Sequence, residues 1–122
     1  SQSIPKVEAP ALEWSDLDLN RAMAVGNQYA ASKYGCIPDT SLDINDPYIG
    51  YNHPIPLSKG EIVSYVPSLA TTYQGAIEFA MKQNVDLFAA SKKQTGIANW
   101  NIKCWCVVEN NQLWLYVLYG GS

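Results

Sequence analysis

The feature that most constrains this chain lies near its C-terminus, where two β-rich runs, Ile97 to Glu109 and Gln112 to Tyr119, are separated by Asn110-Asn111. Asparagine tolerates the positive φ that both central residues of a type I′ turn adopt, so the segment reads as a β-hairpin with a two-residue loop. Such a loop fixes the register. Pairing Glu109 with Gln112 sets Val108 against Leu113, Cys106 against Leu115, Cys104 against Val117 and Ile102 against Tyr119 on one face, which is the core side. The opposite face carries Lys103, Trp105, Val107, Trp114, Tyr116 and Leu118, with Trp105 opposite Tyr116 and Val107 opposite Trp114.

A half-buried hairpin ordinarily turns polar residues outward, and this one turns out two Trp and a Tyr. Trp105, Trp114 and Tyr116 are therefore the first candidate binding residues. The second face calls for cover, from the long loop or N-terminal tail of the chain itself, from a protein partner or a second copy, or from a sugar or ring ligand stacked on the aromatics. Left open as an edge, the uncharged run Leu113 to Tyr119 would also invite aggregation.

Upstream, Ser15 is placed to N-cap a helix, with Asp18 three residues on as a short capping box. Leu19, Ala22, Met23, Gly26, Ala30 and Tyr34 recur at helical steps, and Gly35 stands where a left-handed C′ residue is wanted. Cys36 to Gly60 has no sustained period and holds Pro38, Pro47, Pro54 and Pro56. It reads as a long Pro-rich loop with at most a short edge strand around Tyr48 to Tyr51. Tyr48, Tyr51 and His53 in that loop are further candidate binding residues, since loops of this length are usually functional. Lys59-Gly60 reads as a turn, and Glu61 to Val66, ended by Pro67, as a strand. A second helix is expected from Thr71 or Thr72, carrying Tyr73, Ile77, Ala80, Met81, Asn84 and Phe88. It either breaks near Asn84 or runs on to Lys92 and Lys93 before Gly96.

Together these elements predict an α+β fold: a small antiparallel sheet packed on helices, formed by residues 13–122 as one domain behind a disordered or extended lead-in over residues 1–12. Hydrophobic residues make up 48% of the 122, enough for one core. The net charge of −3 gives no basic excess for nucleic acid. Leu113 to Tyr119 is the longest apolar stretch, far short of the roughly 20 residues that span a bilayer. Charged residues are only 16%, below the usual quarter or so. That surface leans toward an extracytoplasmic or secreted setting, with the cytoplasm as the alternative.

The three cysteines do not form a C-x-x-C pair. Cys104 and Cys106 share the core face of one strand, and Cys36 follows the first helix. A disulfide from Cys36 to Cys104 or Cys106 is expected, closing a loop of roughly 70 residues worth about 4 kcal/mol in the chain-entropy model; the alternative is three small buried apolar groups.

Cys36 with His53, the one histidine, is the pair from which a small cysteine hydrolase could be built. Cys36 follows a helix C-terminus, where the dipole opposes a thiolate, so the signal is weak. Asp39, Asp43 and Asp46 cluster in the loop without the alternating ligands and glycine of an EF-hand, and read as turn caps. Phosphate-binding glycine loops, zinc spacings and nucleophile elbows are absent, and no cofactor or metal is expected. The leading reading is a non-catalytic protein-interaction domain, part of an extracytoplasmic or virion assembly or an inhibitor of another protein. Its partner is a protein or a second copy. The alternatives are the cysteine hydrolase and a carbohydrate-binding module using the hairpin aromatics.

Overall fold

The computed structural model describes residues 11–46, 50–51, 54–92 and 100–121. Among them, the elements run α1 (Leu19–Tyr34), β1 (Ile37–Pro38), β2 (Gly50–Tyr51), β3 (Ile55–Ser58), α2 (Lys59–Ser64), α3 (Tyr73–Lys92), β4 (Trp100–Glu109) and β5 (Gln112–Gly121), preceded by a 3-10 turn at Trp14–Asp16. The fold is α+β, a mixed sheet packed on helices and closing on the β4–β5 hairpin.

The hairpin has the register the turn dictates. Asn110 and Asn111 both take positive φ, 54° and 59°, and Val108–Leu113, Cys106–Leu115, Cys104–Val117 and Ile102–Tyr119 stand opposite one another. Around it the strand order is β1-β4-β5-β2, with β3 also on β5. β1 runs parallel to the start of β4, Ile37 beside Asn101. β2 and β3 run antiparallel to β5, with Gly50 opposite Tyr119 and Pro56 opposite Trp114.

All three helices contribute to one core beneath the Ile102–Cys104–Cys106 face. α1 begins later than the Ser15 cap expected. Ser15 lies inside the 3-10 turn, and the N-cap is Asp18, whose Oδ1 accepts from Arg21 N at 3.0 Å. Gly35 ends α1 in the left-handed region at φ 69°, as its position predicts. The small stripe Ala22, Gly26 and Ala30 is buried and lets α1 approach α3 and β4 closely.

The expected strand over Glu61 to Val66 is helix α2 instead. Ser58 Oγ accepts from Glu61 N at 3.1 Å, and the Glu61 carboxylate accepts from Ser58 N at 2.8 Å. This complete capping box starts a helix through residues of high β propensity and buries Ile62. Lys59-Gly60 is accordingly its first turn. β3, just before it, is a strand within the stretch expected to be loop. α3 runs unbroken through Asn84 to Lys92. Asn84 faces the core at the same helical spacing as Ile77, Met81 and Phe88, so its side chain does not terminate the helix. Lys93 and Gly96 lie outside the described residues. No helix among the described residues is long and apolar enough to cross a membrane.

Candidate functional site

Alternation along β4 and β5 sends Trp105, Val107, Trp114, Tyr116 and Leu118 to the face away from the helices. Trp105, Val107, Trp114 and Tyr116 neither belong to the core cluster nor pack against it, while Leu118 is buried. Trp105 stands directly opposite Tyr116, Val107 opposite Trp114, and Pro56 of β3 continues the row beyond Trp114. The structure thus brings Trp105, Trp114 and Tyr116 together on one surface, each half-buried.

One end of this face is covered by the chain itself. Asp39 N donates to Ile102 O at 2.8 Å, and Lys103 Nζ reaches Leu42 O at 3.0 Å and Thr40 O at 3.3 Å. The Leu42 side chain lies against Gly120, within 3.4 Å of where a Cβ would stand. Leu118 at this end is 1% exposed. The other end keeps Trp105, Val107 and Trp114. Lys103 Nζ sits 4.9 Å from the centre of the Trp105 ring, a cation–π contact that orients the indole. Trp114 Nε1 donates to Glu109 O at 3.2 Å, which satisfies its polar atom and leaves the ring as apolar surface.

Tyr48 and His53 lie outside the described residues. Tyr51 is in β2 opposite Leu118. The long loop supplies part of the cover expected of it, through Thr40 and Leu42 over Lys103, while one contributor to the face, Pro56, escaped the sequence reading. The alternation Ile55-Pro56-Leu57 is the signal that could have found it.

The cysteines are all free and buried, so the expected disulfide is not formed. Helix length gives the reason. Cys106 Sγ points at Leu19 O at 3.6 Å, beside the first residue of α1, while Cys36 follows its far end, roughly 24 Å away at 1.5 Å per residue. Cys104 is nearer, but the β1–β4 register places Cys36 abreast of Trp100. Four residues of strand separate the two, roughly 13 Å, against a Cα reach of about 7 Å for a bridge. Burial raises the Cys36 thiol above its usual pKa and pushes Cys104 and Cys106 up to about 12. Cys36 is 7% exposed, the opposite of what an activated nucleophile needs.

Two of the loop carboxylates, Asp39 and Asp43, cap turns. Asp39 Oδ1 accepts from Ser41 N at 3.0 Å and Oδ2 from Asn101 Nδ2 at 3.0 Å, and Asp43 Oδ1 accepts from Asn45 N at 2.9 Å. Among the described residues no three His, Cys, Asp or Glu side chains converge to hold a metal ion.

A groove of about 320 Å³ lies elsewhere, lined by Ile55, Leu57, Tyr65, Ala80, Gln83, Asp86 and Leu87. Asp86 on its rim already accepts from Tyr34 at 2.6 Å, Tyr29 at 2.9 Å and Lys33 at 3.2 Å. These bonds join α1 to α3, so the polar group on the rim serves the fold. Comparison with known proteins gives no match to a family model, to a curated protein or to a solved structure.

Proposed function

We propose that this chain is a non-catalytic protein-interaction domain whose contact surface is the open end of the outer sheet face: Trp105, Val107, Trp114 and Tyr116. The observation that carries the reading is the one-sided arrangement of the fold. The helices contribute to the core on one side of the sheet, and Trp105, Val107, Trp114 and Tyr116 on the other side have no share in that core. Trp and Tyr dominate the energetics of protein contacts because they bring large area at small entropic cost. Half-buried rings with their polar atoms tied back, as in Trp114, suit a dry contact.

A photo-crosslinking amino acid placed at Trp114, and a second at exposed Lys82 on α3, tests this in cells of the source. Protein adducts from position 114 and none from 82 are expected, and Tyr116→Ser should reduce them without lowering thermal stability. Absence of protein adducts at 114 overturns the reading. Binding to a glycan array that is lost in Trp114→Ala would move the assignment to a carbohydrate-binding module.

A further inference from the structure

The two sides of the sheet are defended unequally. Pairing of Glu109 with Gln112 around a two-residue turn makes the odd-numbered residues of β4 the ones bonded to β5, and turns the N–H and C=O of even-numbered residues outward. On β5, Leu113 and Leu115 then face β3, where they meet Leu57 and Ile55. The outward positions of β3 are thus Pro56, which has no N–H, and Ser58, whose N–H is held by Glu61. Over β3, among the described residues, no free donor remains, the usual protection of an edge.

β4 has no such protection over its second half. β1 covers Asn101 and Ile102, and Cys104 N–H donates to Asn27 Oδ1 at 2.8 Å. Beyond that, among the described residues nothing takes up the outward backbone groups of Cys106 and Val108. The open stretch, Trp105 to Glu109, holds Trp, Cys, Val, Val and one charge, with no proline.

We infer that this edge pairs with the same edge of a second copy of the chain, antiparallel and about a two-fold axis through Val107. The inference rests on the reading of the hairpin as a contact element and names its partner. Three features select this occupant. First, the stretch is bounded by the Asn27 cap at one end and the Asn110-Asn111 turn at the other, so its midpoint is Val107. Second, an axis there sets Cys106 opposite Val108 of the partner subunit, and Val108 opposite the partner's Cys106. Even-numbered residues thus meet even-numbered ones, as backbone bonding requires, with two bonds at each pair. A centre between adjacent residues would oppose outward groups to inward ones.

Third, the charges at the two ends are complementary. Trp105 stands opposite the partner's Glu109, which makes Lys103, already over the Trp105 ring, the diagonal same-face neighbour of that carboxylate. The two-fold makes this contact twice. A parallel arrangement would bring like charges together. The dimer carries one sheet across both copies, with both helical layers on one side and the Trp105 and Trp114 surfaces merged on the other.

Sedimentation equilibrium of the full chain in reductant reads this directly. A mass of twice 13.5 kDa at high micromolar concentration is expected. Val108→Pro removes one outward N–H that has no partner among the described residues, and should raise the dimer dissociation constant at least about a hundredfold. Glu109→Lys should raise it about tenfold, and adding Lys103→Glu, which swaps the two charges, should restore it. Trp114→Ala lies one strand in from the edge and should change it less than about threefold. A monomeric wild type overturns the inference and leaves the aromatic-face reading to its crosslinking test. A dimer that survives Val108→Pro but is lost in Trp114→Ala also overturns it, and supports a face-to-face contact instead.

Discussion

The backbone N–H of Cys104 donates to the side-chain oxygen of Asn27 at 2.8 Å, so a helix side chain completes the strand edge where β1 leaves it. Asn27→Leu removes that acceptor while keeping the bulk. A loss of about 1–2 kcal/mol is expected for the orphaned amide, with faster hydrogen exchange at Cys104 and unchanged protection at Val107, which bonds to β5. Equal protection at Cys104 in both proteins would refute the cap.

Gly26 is required by its neighbours. A Cβ there would lie 2.5 Å from Met81 Cγ and 2.7 Å from Cys104 Sγ, both side chains being fully buried. Gly26→Ala gains helix propensity, near 1 kcal/mol, but overpacking of about 1–3 kcal/mol should outweigh it. Thermal melting should therefore show a net loss, and a raised Tm would refute the close approach of α1 to β4.

Asn84 is 1% exposed on α3, and its Nδ2 has no hydrogen-bond partner among the described residues. Asn84→Leu relieves a desolvated donor, and urea unfolding should show a gain of about 1 kcal/mol. A loss would mean that the larger side chain overfills the site.

Asp86 contributes to the acid side of stability. Burial opposes its ionisation, but hydrogen bonds from Tyr34, Tyr29 and Lys33 together outweigh that and hold its carboxyl below the ordinary 3.8. A carboxylate with a depressed native pKa contributes stability above its unfolded pKa and loses it as pH falls through the native value. Stability should therefore fall as pH drops below about 4, and Asp86→Asn should flatten that slope. An identical slope in the variant would show that other carboxylates set it.

The thiols supply a chemical check on the core. All three should be reduced and unreactive toward a thiol reagent at neutral pH in the native protein, and all three should titrate after unfolding. Rapid native labelling of Cys36 would contradict its burial at 7% exposure and reopen the cysteine-hydrolase alternative.

What the sequence by itself determined is what depends on near neighbours along the chain. The hairpin register follows from Asn110-Asn111 and strict alternation, the end of α1 from Gly35, and the grouping of Trp105, Trp114 and Tyr116 from that same register. These are local geometries, and no distant residue is needed to state them. Helix α2 was also locally encoded, in Ser58 and Glu61, but the β-branched residues that follow hide the capping box from a reading by propensity.

Tertiary structure decided the rest. Whether three cysteines bridge depended on the length of α1 and on the parallel seat of β1, both of which hold the thiols apart. Whether Asn84 ends a helix depended on the core that α3 packs into. Which half of the aromatic face is covered depended on where the loop after β1 crosses Lys103, and which sheet edge stays open on Asn27 meeting Cys104 across 77 residues of chain. Contacts at that separation arise from packing, and a linear pattern carries no period that reports them.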